Sequence, residues 1–269
     1  MSGGTRFTEI RRFGELDSTN RYLVDEARGG APEGLVVTAD YQTAGRGRLG
    51  RRWEAPAGSN LLVSVLLRPD LRVEELHLCT LSMALAARSA CAEAAGVEAV
   101  LKWPNDLVVG ERKLAGILAE AIPDGGASDP PAGVAGAGRA VVVGLGLNVS
   151  WPAPEAEPGA VAVPEDLLDR ATSLWRESGR RIEPGDLLAV VLDHLEKRLD
   201  DLASGEGRRR LLSEYRAVCA TLGRDVIMSL PGETVRGTVA DITVEGHLVL
   251  DVGACFRTIT AGDVVHLRT

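Results

Sequence analysis

Apolar residues run almost unbroken through residues 60–67, where Leu61-Leu62-Val63 and Val65-Leu66-Leu67 flank one serine. A short run of that density, closed by Arg68-Pro69, predicts a strand covered on both faces. Further strands are predicted over 5–16, 35–41, 99–103, 107–109, 114–121 and 140–148. Helices are predicted over 20–28, ended by Gly29-Gly30, and over the alanine- and leucine-rich 73–95, stopped by Gly96. A third spans 184–202, where Leu187, Leu188, Val191, Leu192, Leu195 and Leu199 recur at helical spacing, and a fourth spans 208–221. Segment 123–138 contains only Pro, Gly, Ala, Ser and Asp apart from Val134, which predicts a surface connection between strands. Segment 152–164, with four prolines, is expected to be irregular.

The rhythm changes after residue 222. Short alternating strands at 225–230, 235–242, 247–251, 256–260 and 264–267 are punctuated by Pro231-Gly232, Glu245-Gly246 and Ala261-Gly262. That spacing predicts a small antiparallel barrel. The chain is therefore expected to divide into a larger unit, 1–221, and a small one, 222–269.

Composition narrows the class. The 269 residues, 45% hydrophobic and 25% charged, suit one or two folded domains. No apolar stretch has the length of a membrane span and residues 1–15 lack a signal-peptide core, so a cytoplasmic enzyme is expected. A net charge of −8 and a pI near 5.2 argue against a dedicated nucleic-acid binder. Cys79, Cys91, Cys219 and Cys255 form no Cys-x-x-Cys pair, and the four histidines are scattered.

Against that acidic background, residues 42–53 stand out: Gln-Thr-Ala-Gly-Arg-Gly-Arg-Leu-Gly-Arg-Arg-Trp, with four arginines and no acid. Glycines let such a loop approach a ligand closely, and its charge suits a small anion. Of 30 basic residues only three are lysines, and two of these, Lys102 and Lys113, open the segments Lys102-Trp103-Pro104-Asn105-Asp106 and Lys113-Leu114-Ala115-Gly116-Ile117-Leu118. Gly45, Gly47 and Gly50 formally satisfy G-x-G-x-x-G, but no helix follows, so a dinucleotide fingerprint is excluded, and no P-loop motif is present. Taken singly, each segment also has an architectural explanation. Pro-Asn-Asp suits a turn, Ser18-Thr19-Asn20 suits a helix cap, Lys113 a surface hairpin, and the glycines of 144–148 a crowded strand.

In combination, and in this order, the five segments Ser18-Thr19-Asn20, 42–53, 102–106, 113–118 and Gly144-Leu145-Gly146-Leu147-Asn148 closely resemble the biotin–protein ligase (biotin–[acetyl-CoA carboxylase] ligase) family. The resemblance implies an α+β fold, a mixed central sheet flanked by helices and related to class II aminoacyl-tRNA synthetase catalytic domains, with a small C-terminal SH3-like barrel. It implies ATP and biotin as substrates, with Mg2+, and biotinoyl-5′-AMP as intermediate. The acceptor is a lysine on the biotin carboxyl carrier domain of acetyl- or acyl-CoA carboxylase. Carried over residue by residue, Lys113 and Arg48 are catalytic. Together with Arg48 and Lys113, the residues Ser18, Thr19, Asn20, Gln42, Gly45, Arg46, Gly47, Gly116 and Gly144 surround biotin. Arg51, Trp53, Lys102, Asn105, Asp106 and Asn148 join the arginine loop at the nucleotide, with Trp53 against the adenine and Asp106 on the metal side. Only 17 residues precede Ser18, so the resemblance implies a ligase without a DNA-binding repressor domain. A lipoate–protein ligase and a non-catalytic biotin sensor are the alternatives.

Overall fold

The computed structural model describes residues 6–122, 139–154, 164–230, 232–260 and 262–267. The connection expected over 123–138 and most of segment 152–164 lie outside the described residues.

The strands β1 (Glu9–Leu16), β2 (Leu35–Gln42), β3 (Leu61–Leu67), β4 (Val100–Lys102), β5 (Asp106–Val109), β6 (Arg112–Ile122) and β7 (Ala140–Leu147) form one mixed sheet in the order β1-β2-β3-β7-β6-β5-β4. Only β1 and β2 pair in parallel, joined through helix α1 (Thr19–Arg28); every other neighbouring pair is antiparallel. Because side chains alternate along a strand, the register fixes two faces. Ser64 and Leu118 both pair with Gly144, and Leu62 and Gly116 both pair with Gly146, so these residues share one face.

Helix α1 covers part of that face, packing Leu23 and Ala27 on Leu35, Val37, Leu66 and Val142. The opposite face carries Val63, Val65, Val141, Val143 and Leu145 against α2 (Leu78–Ala95) and α5 (Pro184–Leu202), with α6 (Gly205–Ala217) beyond. Cover on both faces explains why β3 and β7 read as continuous apolar runs. In α2, Met83, Leu85, Ala86 and Ala87 are all fully buried, so the helix is core on every side.

The helix expected over 73–95 is broken: Val73–Glu75 forms a 3-10 turn closed by Arg72 and Glu75, and the α-helix begins at Leu78. Gly96 ends it in the left-handed conformation, as its position predicts. The fourth predicted helix starts earlier than 208. Ser204 caps it by accepting a bond from Gly207 N (3.0 Å), and two glycines of low helix propensity hide that start. It also ends at Ala217, because residues 218–220 turn aside to pair with β4 (Leu101 N to Val218 O 2.9 Å, Ala220 N to Leu101 O 2.8 Å). The short helices α3 (Glu165–Leu168) and α4 (Leu174–Ser178) were not foreseen.

The C-terminal strands β8 (Asp225–Leu230), β9 (Glu233–Ile242), β10 (Leu248–Asp251), β11 (Phe256–Ile259) and β12 (Asp263–His266) form an antiparallel sheet in the order β11-β10-β9-β8-β12. Its inner residues Val226, Met228, Val239, Ile242, Leu248 and Leu250 merge with the main core. Trp103 fastens the two sheets, donating from Nε1 to Gly246 O (3.2 Å) and from its backbone N–H to Thr221 Oγ1 (3.0 Å). No helix of the described residues is long and apolar enough to cross a membrane.

Candidate active site

Beside α1, where the helix leaves the sheet uncovered, the chain encloses a cavity of about 690 Å3, a volume typical of small-molecule sites. Its walls come from the start of α1, the loop after β2, the β4–β5 hairpin, and the strands β6 and β7. Every site residue expected from the sequence lines it except Gly45. Gly45 acts behind the wall, where a side-chain carbon would overlap the carbonyl oxygen of Trp53.

At one end lies a polar network. Ser18 occupies the N-cap position of α1, yet its hydroxyl makes no capping bond; the cap explanation of this residue therefore fails. Gln42 Oε1 accepts from Thr19 N (2.8 Å) and lies 3.1 Å from Thr19 Oγ1. That pins the amide so that its NH2 group is the end left to donate. Ser64 Oγ lies 2.8 Å from Thr19 Oγ1 and 2.6 Å from Asn20 Oδ1. Ser64, fully buried, was missed in the sequence because it reads there as a lapse in an apolar strand.

The floor is glycine, but the glycines divide the work. A side-chain carbon on Gly144 would overlap Asn20 Oδ1, so Gly144, which also lines the cavity, makes room for Asn20. Gly146 and Gly116 carry the indole of Trp53, which a carbon on Gly146 would meet at 2.5 Å and one on Gly116 at 3.2 Å. Lys113 Nζ stands 5.7 Å from the Trp53 ring centre, within cation–π range.

Lys113 is held from both ends. Its backbone N–H donates to Arg170 O (2.8 Å), its carbonyl accepts from Thr172 N (2.9 Å), and its ammonium pairs with Asp106 Oδ1 at 2.6 Å. Arg48 Nη1 donates to Asn105 Oδ1 (3.2 Å) and Nη2 to Gly262 O (3.2 Å), which ties the arginine loop to the β4–β5 hairpin and to the C-terminal sheet. Burial pulls the Arg48 guanidinium below its ordinary value and Arg51 adds to this, while Asp106 opposes it. Asn105 is itself clamped to β6 through Nδ2 to Ile117 O (2.8 Å). Lys102 and Arg51 complete the cationic wall.

Asn148 reaches the wall, but both ends of its amide are engaged: Oδ1 accepts from Asn60 Nδ2 (2.9 Å) and Nδ2 donates to Thr172 O (2.9 Å). It therefore ties the end of β7 to the residue before β3 and to the segment leading into α4. Trp151, Arg170 and Val265 also line the cavity and were not foreseen. Trp151 follows Asn148 by three residues, the one local cue available. Among the described residues no group of three or more His, Cys, Asp or Glu is placed to hold a metal.

The arrangement presents a row of fixed cations beside an apolar floor, with amide and hydroxyl groups at the far end. It suits a ligand with a polar head, an apolar middle and an anionic tail.

Comparison with known proteins agrees with this geometry. The profile of the Biotin/lipoate A/B protein ligase family matches residues 13–136, and that of the Biotin protein ligase C terminal domain matches residues 221–267. A biotin–[acetyl-CoA-carboxylase] ligase of Mycobacterium tuberculosis is 34% identical across 100% of this chain and 92% of its own. One of Paracoccus denitrificans is 32% identical across 92% of this chain and 96% of its own. The solved structure of a biotin protein ligase from Aquifex aeolicus in complex with biotin and ATP superposes with a TM-score of 0.78 at 26% identity, covering 98% of this chain and 100% of that one. The chain belongs to the biotin–protein ligase family.

Proposed function

We propose that the protein activates biotin with ATP and transfers it to a lysine of the biotin carboxyl carrier domain of acetyl- or acyl-CoA carboxylase. The observation that carries this is the single cavity wall on which Lys113, Arg48, Arg46 and Arg51 meet the glycine floor and the Ser18–Thr19–Gln42 network.

In the first step an oxygen of the biotin carboxylate attacks the α-phosphorus of ATP, and the bond to pyrophosphate breaks. Two unit negative charges ~4 Å apart repel by roughly 4 kcal/mol at an effective dielectric of 20. Lys113 and the loop arginines offset that repulsion and stabilise the charge that builds at phosphorus. Because the nucleophile is already ionised at neutral pH, no general base is required. Ser18, Thr19 and Gln42 bind the ureido ring, Gln42 donating through the NH2 that Thr19 leaves outward. Trp53, resting on Gly116 and Gly146, lies against the adenine. Asp106, one carboxylate beside an ammonium, fits Mg2+, an ion held mainly by phosphate and water rather than by a protein cage. When bound, that ion neutralises phosphate charge.

In the second step the carrier lysine's amine attacks the acyl carbon and AMP leaves. Until then the mixed anhydride must be kept from water, which is the task of the arginine loop. Residues 1–221 form the ligase unit and 222–269 the small C-terminal unit, which reaches the site through Gly262 and Val265.

The match of a biotin-specific C-terminal profile favours biotin over lipoate, and a fixed ammonium at the cationic end favours catalysis over sensing. Pyrophosphate–ATP exchange tests the reading: exchange supported by biotin and not by lipoate, followed by labelling of an acceptor domain, is expected. Exchange with lipoate alone, or none with either, overturns it.

A further inference from the structure

Glu120, on β6, lies on the α1 side of the sheet, two residues beyond Leu118. It does not line the cavity, and its side chain is 23% exposed. Its two carboxylate oxygens hold different elements: Oε1 pairs with Arg46 Nη1 at 2.8 Å, and Oε2 accepts from Asn20 Nδ2 at 2.9 Å. Asn20 is fixed in turn by Leu118 O (3.2 Å) and Ser64 Oγ (2.6 Å), so the carboxylate rests on a rigid base.

Arg46, by contrast, belongs to the glycine-jointed loop, which is closed on itself. Arg46 and Arg52 face one another across an antiparallel bridge, Gly47 N donates to Arg51 O (2.7 Å), and Trp53 N donates to Gly45 O (3.0 Å). A force on Arg46 is therefore transmitted to Arg48 and Trp53. The far side of the same loop is fastened by Arg48 to Asn105 and Gly262.

Resting on the ligase reading above, we propose that Glu120 is a positioning residue. Its ion pair with Arg46 sets the fraction of time the arginine loop lies closed, and so the rate at which the adenylate escapes before transfer. Glu120 touches neither substrate nor reacting atoms.

The test uses Glu120→Gln in the full chain. Glutamine keeps an oxygen for Asn20 and removes only the charge. Adenylate formed in a single turnover is chased with unlabelled biotin, and its escape is followed. Escape is expected to be about 3- to 5-fold faster than in the unsubstituted protein, the size of a partly exposed ion pair. The difference is expected to shrink at about 1 M salt, where the screening length falls to ~3 Å. In an Arg46→Gln background the same substitution is expected to add nothing. Unchanged escape in Glu120→Gln, or a full additive effect in the Arg46→Gln background, overturns the proposal. If the unsubstituted protein makes no adenylate, the ligase reading fails instead. Amide hydrogen exchange of residues 45–53 in the ligand-free protein then decides: faster exchange in Glu120→Gln supports the latch, and equal exchange refutes it.

Discussion

Replacing Gly144 by alanine tests how tightly the polar end of the site is built. The new carbon would overlap Asn20 Oδ1, lie 2.9 Å from Asn20 Cγ and 3.2 Å from Ser64 Oγ. Asn20 is 4% exposed and tied to Ser64, Leu118 and Glu120, so it has nowhere to retreat without breaking bonds. Overpacking of this kind costs about 1–3 kcal/mol. Separating Ser64 from Asn20 leaves buried polar groups without partners, a further ~1–3 kcal/mol. The sum, about 2–6 kcal/mol, lowers Tm by roughly 4–24 °C in a chain of this size.

Because Ser64 also contacts Thr19, which orients Gln42, biotin affinity is expected to fall roughly 5- to 10-fold, the worth of one hydrogen bond. Thermal unfolding and calorimetric titration with biotin measure both. Gly185→Ala is the control: it sits in the first turn of α5 with nothing within 4 Å of an added carbon. It is expected to raise stability by up to ~1 kcal/mol. A Gly144→Ala protein whose Tm shifts by less than about 1 °C and whose biotin affinity is unchanged would refute the network.

Two further outcomes follow from the charges. Burial, and then the neighbouring His247, hold His77 down to about 4 from 6.5, against a hydrogen bond to the Glu74 backbone and the charges of Glu245 and Glu75. The unfolded chain therefore binds the extra proton first, and stability is expected to fall as pH drops from 6.5 towards 4, by at most about 3 kcal/mol. His77→Gln should flatten that slope in denaturant titrations; an unchanged slope contradicts it. Arg48→Gly removes the ties to Asn105 and Gly262, and free adenylate is expected to accumulate and label bystander lysines; leakage at the unsubstituted level would show that this tether does not close the loop.

What the sequence disclosed, and what it withheld, follows from range. β3 and β7 were legible because two-sided burial writes itself as an apolar run, and Gly96 because only glycine readily takes the left-handed turn that ends α2. Helix α4 was not, since five residues have no period to show and their stability comes from burying Leu174 and Trp175. The wall of the site was legible as local motifs, from Gln42 to Asn148. The division of labour within it was not. Trp103 stands inside a signature segment yet fastens the C-terminal sheet, and Gly144 stands among floor glycines yet accommodates Asn20. Glu120 and Arg46 meet across 74 positions, a distance over which no local pattern speaks. Asn148, expected at the nucleotide, has its amide spent on Asn60 and Thr172, contacts that only the folded chain supplies.

The most direct test is biotin-dependent pyrophosphate–ATP exchange by Lys113→Met, which keeps the side chain's bulk over Gly116 and removes its ammonium. Loss of one such fixed donor is expected to slow exchange about 100- to 1,000-fold while Tm stays near that of the unsubstituted protein. Exchange at the unsubstituted rate would mean that this ammonium does not help join the two anions.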